Sequence, residues 1–278
     1  MQLLGNTCLV VGASGAIGQA VAKKFHLEGA RLALTYRNQK SAVKLDSLSS
    51  DDSPVAYFAL DVRNQKQVYS VVSRVRRRFG PIDVLVNCSG VLGPVGATQD
   101  VSATAWRRTL EINLLGGFYL VRAVLPMMLS SGRGKIILFS GGGAAYARPH
   151  FTAYSSSKAA VVRFTESLSA ELGDMNIQVN AIAPGAVKSR MWDELRASVA
   201  VAGPQAIEEL KKMEITGGVP AERAASLALF LASNRSAGLT GRLISAVHDK
   251  WENMESEIPK VMSTDAWTLR RVPLDYRC

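Results

Sequence analysis

An apolar segment near the N-terminus leads directly into a glycine-rich turn and then into a helical pattern. Residues Thr7 to Val11 form a continuous β-prone run, which is typical of a strand covered on both faces in a parallel sheet. The turn that follows contains Gly12, Ala16 and Gly18. This order predicts a phosphate-binding unit, because a helix N-terminus presents unpaired N–H groups and a positive dipole end. An ordinary strand-to-helix turn is the alternative.

The rest of the chain repeats this alternation. Strand-like runs cover residues 31–35, 55–60, 82–86, 135–139, 177–182 and 239–247, and helical patterns cover 65–79, 106–129 and 154–173, with an interruption at Gly116-Gly117. Residues 41–54 are rich in Ser and Asp and predict a loop. The pattern predicts an α/β fold with a doubly wound parallel sheet, in one domain spanning residues 1–278. Ligands of such sheets bind beyond the carboxyl ends of the strands.

Composition limits the class of protein. Apolar residues make up 47% of the 278 residues and charged residues 20%, which is typical of a soluble globular chain. No apolar run reaches membrane-spanning length and the N-terminus lacks the features of a signal peptide, so we expect no membrane partner. Cys8, Cys88 and Cys278 form no disulfide framework and have no metal-ligand company, which favours a cytoplasmic setting without a metal.

The net charge of +10 and the four arginines within residues 74–78 have two interpretations. One is a nucleic-acid surface, and the other is the solvated face of a helix in a protein that binds an anionic cofactor. Aromatic residues do not interleave the arginines, so we favour the second interpretation and expect no nucleic-acid partner.

The end of the second predicted strand bears on the choice of nucleotide. A dinucleotide fold that binds NAD usually has an acidic residue at this point for the ribose 2′-hydroxyl. Here the residues are Tyr36-Arg37-Asn38, and Arg37 is placed to meet a 2′-phosphate. The sequence therefore predicts NADP(H) in preference to NAD(H), with an ordinary solvated arginine as the alternative.

Tyr154 and Lys158 are four positions apart and share one face if the segment is helical. A phenol ionises near pH ~10, and a nearby ammonium lowers that value. The pair is therefore a candidate proton donor or acceptor that works near neutral pH. A chance pairing on a surface helix is the alternative.

These motifs together resemble the short-chain dehydrogenase/reductase family in its single-domain form, and especially its 3-oxoacyl-carrier-protein reductase-like members. The resemblance covers about residues 5–245 and includes Asp61-Val62, Asn87-x-x-Gly90, Asn113 and Pro184-Gly185. It implies a Rossmann-type sheet of about seven strands. It also implies hydride transfer between NAD(P)(H) and a carbonyl or secondary alcohol substrate.

The resemblance also implies roles for individual residues. Tyr154 is expected to act as general acid or base, Lys158 to hold the nicotinamide ribose and lower the tyrosine pKa, and Asn113 to support a proton-relaying water. The expected cofactor-binding residues are Gly12, Ser14, Ala16, Ile17, Gly18, Arg37, Asp61, Val62, Asn87, Ser89, Gly90, Tyr154, Lys158, Pro184, Gly185, Val187 and Ser189. A homo-dimer or homo-tetramer built on the helices of Asn113 and Tyr154 is expected, acting on a small molecule.

One position departs from the family pattern. The family has a catalytic serine thirteen residues before the tyrosine, and this chain has Gly141 there. Ser140 could take the role, a backbone N–H of Gly141 or Gly142 could donate instead, or the reaction could dispense with that donor. The departure also keeps open an alternative function, a cofactor-binding sensor or oligomeric partner with little or no reductase activity.

Three further segments are assigned from their position. Residues 190–217 resemble a substrate lid. Arg148 and His150 precede Tyr154 and either bind a polar substrate group or, as we favour, face solvent as loop residues. The C-terminal extension, 248–278, is expected to cover the pocket, to dock on a neighbouring subunit, or to shield the sheet.

Overall fold

A parallel sheet of seven strands forms the centre of the computed structural model, which describes residues 1–38 and 54–272. The strands are β1 Thr7–Val11, β2 Arg31–Tyr36, β3 Val55–Ala59, β4 Val84–Asn87, β5 Gly134–Phe139, β6 Ile177–Ala183 and β7 Leu243–Ser245. Their spatial order is β3-β2-β1-β4-β5-β6-β7, and every neighbouring pair is parallel. The predicted Rossmann-type sheet is thus confirmed. The predicted loop at 41–54, apart from its last residue, and Cys278 lie outside the described residues.

Helices cover both faces of this sheet, and β1 shows why its sequence is continuously apolar. Cys8 and Val10 point into a core on one face of the sheet, whereas Leu9 and Val11 point into a second core on the other face. The helices are α1 Ala16–Leu27, α2 Gln65–Phe79, α3 Ala103–Leu110, α4 Gly116–Ser131, α5 Thr152–Leu172, α6 Arg190–Ala197, α7 Gly203–Thr216, α8 Ala221–Ala232 and α9 Ile258–Met262.

The helical stretch Ala103–Ser131 differs from expectation in two ways. The predicted interruption at Gly116-Gly117 is wrong, because α3 and α4 are joined by a π-helical turn, Glu111–Leu115, and the helix continues through both glycines. A Cβ on Gly116 would lie 2.7 Å from Val62 Cγ2, so this glycine allows close packing. Among the described residues this stretch is also long and apolar enough for a membrane span, since its most apolar 18-residue part has a mean hydropathy of 1.6. Half of its most apolar part is buried in the fold, as in a core helix.

The described part of the C-terminal extension shields the outer edge of the sheet. The Leu243 N–H of β7 donates to the Trp267 carbonyl at 2.8 Å. The buried Arg242 donates to the Ala266 carbonyl at 2.9 Å, and Trp251 packs against Phe230 of α8. Of the three expected roles, the geometry of residues 248–272 matches shielding of the sheet.

Candidate active site

The glycine turn after β1 is built by backbone contacts. Gly12 has φ +73°, and a Cβ there would lie 3.0 Å from the Ser89 backbone nitrogen, so the turn packs against the end of β4. A Cβ on Gly18 would overlap the Gly12 carbonyl oxygen, which shows that α1 rests directly on the turn. The Gly12 N–H donates to Thr35 Oγ1 at 3.1 Å, a contact that the sequence analysis did not identify. Added side-chain atoms have no room here.

The N-terminus of α1 faces the same edge of the sheet. Gly15 precedes the helix, no side chain of the described residues caps this end, and the first turn holds no acidic residue. The first helical N–H bonded to the Gly15 carbonyl is that of Gln19, at 2.9 Å. The N–H groups of Ala16, Ile17 and Gly18 therefore remain for an anion. This cradle fits the pyrophosphate of a dinucleotide, with Ser14 beside it.

Basic and acidic side chains meet beyond β2 and β3. Arg37 is exposed after β2, and Asp61, after β3, accepts a hydrogen bond from Arg63 Nη2 at 2.6 Å. Hydrogen bonds from Arg63 lower the pKa of Asp61, and the charge of Arg37 adds to that effect. Arg63 was missed in the sequence, although it directly follows the Asp61-Val62 motif. The Val62 side chain is buried against Gly116.

The turn after β4 brings three predicted site residues together. Asn87 Oδ1 accepts from the Ser89 N–H at 3.1 Å and from Ser89 Oγ at 2.6 Å, which fixes the turn. A Cβ on Gly90 would lie 3.4 Å from Asn113 Oδ1 and 3.5 Å from Lys158 Nζ. Gly90 therefore adjoins both candidate catalytic residues.

Asn113 lies in the π-helical turn, a rare conformation that is frequent at functional sites. Its Nδ2 donates to the Val91 carbonyl at 3.0 Å and to Ser157 Oγ at 2.9 Å, and its Oδ1 accepts from the Val91 N–H at 2.9 Å. Ser157 Oγ donates in turn to the Tyr154 carbonyl at 2.7 Å. Asn113 thus joins the end of β4 to the helix that carries Tyr154. The role of Ser157 was not identified from the sequence.

Tyr154 and Lys158 lie side by side on α5, as predicted. Lys158 Nζ lies 5.6 Å from the centre of the Tyr154 ring and donates to the Phe139 carbonyl at 2.9 Å. The expectation that Lys158 lowers the tyrosine pKa stays a prediction. Burial raises the pKa of Tyr154, and the positive charge that opposes this rise is that of Arg148. Burial also lowers the pKa of Lys158 to about 8.

Gly141 lies directly against the Tyr154 hydroxyl. A Cβ on Gly141 would overlap Tyr154 Oη, so a serine side chain does not fit beside the phenol as it stands. Ser140 does not compensate, because its Oγ donates to the Lys158 carbonyl at 3.1 Å and the residue is buried. The geometry therefore does not favour Ser140 as a catalytic donor. The N–H groups of Gly141 and Gly142 have no acceptor in the described part of the chain.

The turn after β6 leads from the sheet to α6 and α7. Gly185, next to Pro184, has φ +79°, and a Cβ there would lie 3.1 Å from Val219 Cγ2. Val187 forms a bridge with Val219, and the Ser189 carbonyl accepts from the Trp192 N–H at 2.9 Å where α6 begins. These residues therefore set the position of α6 and α7.

α6 and α7 pack over Tyr154, which is 8% exposed, in a cluster with Phe151, Trp192 and Leu210. Arg148 links the loop before α5 to α7. The side chain of Arg148 forms an ion pair with Glu209 of α7, so the expectation that it faces solvent is wrong. His150 has φ +68° and packs against Gly203, where α7 begins.

A family comparison agrees with this geometry. The model of the short chain dehydrogenase family matches residues 6–200. The chain belongs to the short-chain dehydrogenase family. It is an oxidoreductase of the 3-oxoacyl-carrier-protein reductase-like type, which acts on CH–OH or C=O groups with a nicotinamide cofactor.

Two curated relatives and one solved structure show the extent of the similarity. The chain is 32% identical to 2,3-dihydro-2,3-dihydroxybenzoate dehydrogenase of Bacillus subtilis, over 85% of this chain and 92% of the relative. It is also 32% identical to the 3-oxoacyl-[acyl-carrier-protein] reductase FabG of Thermotoga maritima, over 88% and 97%. A point variant of actinorhodin polyketide ketoreductase, solved with NADPH, has a TM-score of 0.79 at 28% identity, covering 86% of this chain and 95% of the ketoreductase.

Proposed function

We propose that the protein transfers hydride between NADP(H) and a small carbonyl or secondary alcohol substrate, with Tyr154 as general acid or base. The observation that supports this most is the linked set of Gly90, Asn113, Lys158 and Tyr154, at the same edge of the sheet as the glycine turn. A proton-transfer group and a phosphate cradle thus lie on one side of the fold.

The proposed roles follow from the contacts. A bound nicotinamide would supply or accept the hydride. Tyr154 gives a proton to the substrate oxygen in reduction and takes it back in oxidation. Lys158 contributes to holding the ribose, and Asn113 supports the water relay while fixing α5. With Gly141 in place of serine, the free N–H groups of Gly141 and Gly142 are the donors that we propose for the substrate oxygen.

The preference for NADP(H) rests on Arg37, with Arg63 close to Asp61 beside it. We expect Arg37→Ala to lower kcat/KM for NADPH by roughly 10- to 100-fold, the usual worth of a charge-assisted hydrogen bond, and to change the value for NADH little. Arg76→Ala, on the exposed face of α2, is the matched control. Equal losses with both cofactors would contradict the assigned preference.

Several wider expectations belong to the same proposal. Residues 190–217 act as the substrate lid of a single domain that spans residues 1–278 and includes the extension at 248–278. A cytoplasmic homo-dimer or homo-tetramer is proposed, without nucleic acid or membrane as partner. The exposed apolar side chains of Leu115 and Phe118 on the helices around Asn113, and the contact of Phe118 with Phe164 of α5, support an oligomer at this face.

Gly141 also supports a second candidate, a cofactor-binding protein with little or no reductase activity. A panel of ketones, quinones and β-ketoacyl thioesters, followed by NADPH absorbance, separates the two candidates. Oxidation of NADPH that depends on one of these compounds favours the reductase. Tight NADPH binding without oxidation across the panel favours the second candidate.

A further inference from the structure

Trp192, in the first turn of α6, has a buried indole N–H without a hydrogen-bond acceptor. No side-chain or backbone oxygen in the described part of the chain accepts from Nε1. The residue is only 4% exposed, so bulk water does not reach the N–H either. An unpaired donor of this kind destabilises a fold, and in native proteins it usually has an explanation. One explanation is an acceptor that arrives with a ligand.

Two other tryptophans of the chain have the acceptor that Trp192 lacks. Trp106 Nε1 donates to Thr152 Oγ1 at 3.3 Å, and Trp251 Nε1 donates to the Ala246 carbonyl at 3.3 Å. The fold therefore supplies a protein acceptor for an indole where the indole has a structural role only. The unpaired N–H is a property of the Trp192 site.

The contacts of the Trp192 ring fix the direction of its N–H. A Cβ on Gly218 would lie 3.2 Å from Trp192 Cζ3, so this edge of the indole packs against the turn that follows α7. Nε1 is bonded to the ring carbon opposite Cζ3, and the N–H therefore lies on the far side of the indole from Gly218. Lys188 Nζ and Arg196 Cζ lie 5.8 and 5.9 Å from the ring centre, and their attraction to the ring adds to its fixed position.

The surroundings of Trp192 include the phenol of Tyr154. Both side chains belong to one cluster, whose other buried members are Leu92, Phe151, Leu195, Ala202, Ala206 and Leu210. Arg148, next to this cluster, is paired with Glu209, so the two side chains together carry no net charge. A compound bound between Tyr154 and α6 therefore meets mostly hydrocarbon, and the indole N–H is the polar group that α6 offers to it.

We propose that the Trp192 indole N–H donates to a second oxygen of the substrate, so that the site selects uncharged, largely apolar carbonyl compounds with another acceptor, such as diketones. The inference rests on the proposed function, in which the reacting carbonyl oxygen lies against Tyr154 and the N–H groups of Gly141 and Gly142. Trp192 binds the other oxygen. A compound without that oxygen leaves the N–H unpaired and is discriminated against.

The first test compares 1,4-cyclohexanedione with cyclohexanone, which share a ring and differ by the second carbonyl. Trp192→Phe removes the N–H and keeps an apolar ring. The intrinsic reactivities of the two probes are the same in every variant, so a change in the ratio of their kcat/KM values reports the lost contact. We expect Trp192→Phe to lower the ratio of dione to monoketone by roughly tenfold or more, and the control Trp106→Phe to leave it unchanged.

The second test follows the N–H itself in the wild-type chain, so it decides even where Trp192→Phe does not fold. NADP⁺ is added, because the oxidised cofactor cannot reduce a ketone. The nitrogen-15-labelled indole resonance of Trp192, assigned through its own backbone, should move downfield with saturating 1,4-cyclohexanedione and less with saturating cyclohexanone. The indole resonances of Trp106 and Trp251 already have acceptors and should not respond.

Equal losses for the two probes in Trp192→Phe would overturn the inference, as would a Trp192 indole resonance that does not respond to the dione. A downfield shift with the dione in a protein that reduces neither probe counts against the proposed function alone. Reduction of the dione that is lost in Tyr154→Phe, together with an unchanged probe ratio in Trp192→Phe, counts against the inference alone.

Discussion

The two halves of the sheet's carboxyl edge are built in opposite ways. Beyond β1 and β2 the structure depends on backbone, because Gly12 and Gly18 allow main-chain atoms to approach closely and Thr35 accepts one of their N–H groups. Beyond β4 and β5 it depends on buried polar side chains from distant segments, such as Asn113 with Ser157 and Lys158 with the Phe139 carbonyl. The first half should be sensitive to added atoms, and the second to lost hydrogen bonds and charges.

The largest effect is expected from one added carbon in the first half. Gly18→Ala places a Cβ on the Gly12 carbonyl, and because this neighbour is backbone, we expect a loss of about 3 kcal/mol or more in the free energy of unfolding. Gly15→Ala is the matched control, since its Cβ would lie 3.5 Å from the same oxygen, an ordinary contact. Denaturant unfolding of the cofactor-free protein measures both. Equal losses would show that close packing does not distinguish these glycines.

The second prediction concerns the buried charge of Lys158. Below about pH 8 the Lys158 side chain is protonated in both the folded and the unfolded protein, and burial of its charge destabilises the folded protein. Between about pH 8 and the ordinary lysine value of 10.5, only the unfolded state binds it, so stability rises with pH. In the cofactor-free protein, Lys158→Met should reduce this rise in the free energy of unfolding by about 2 to 3 kcal/mol. The exposed Lys66→Met should leave the pH dependence unchanged, and an unchanged slope in Lys158→Met would contradict the burial argument.

The third prediction applies the test of added atoms to the catalytic half. Gly141→Ser restores the family's serine, yet its Cβ overlaps Tyr154 Oη, so we expect turnover to fall by roughly 10- to 100-fold through displacement of the phenol. Gly142→Ser is the control, since its Cβ would lie 3.0 Å from the end of the exposed Tyr146 side chain, which can move. Steady-state kinetics on a compound from the carbonyl panel measures the turnover of both variants. Higher turnover in Gly141→Ser would contradict this interpretation of the site.

The sequence predicted the first half well because its determinants are local. The run from Thr7 to Gly18 contains both the strand and the reason for its turn, and α2 was predicted with the bounds that the structure shows. Gly116-Gly117 was misread because glycine both ends helices and allows close packing, and only the contact with Val62 distinguishes the two.

The second half could not be predicted to the same depth because its contacts join distant residues. Ser157 and Asn113 are 44 residues apart, and Arg148 and Glu209 are 61 apart, so their pairing depends on the complete fold. Burial decides the rest. Burial lowers the pKa of Lys158 to about 8, an effect that its spacing from Tyr154 in the sequence does not reveal.

The most direct test of the account is turnover and NADPH binding in Tyr154→Phe, measured on one preparation. Removal of the hydroxyl alone keeps the ring in the apolar cluster, so we expect NADPH to bind with nearly unchanged affinity. Turnover on the best compound of the panel should fall by roughly 100- to 10,000-fold, the usual contribution of a general acid or base. Turnover within a few-fold of the wild type, with binding intact, would contradict the assignment of Tyr154 as the proton-transfer group.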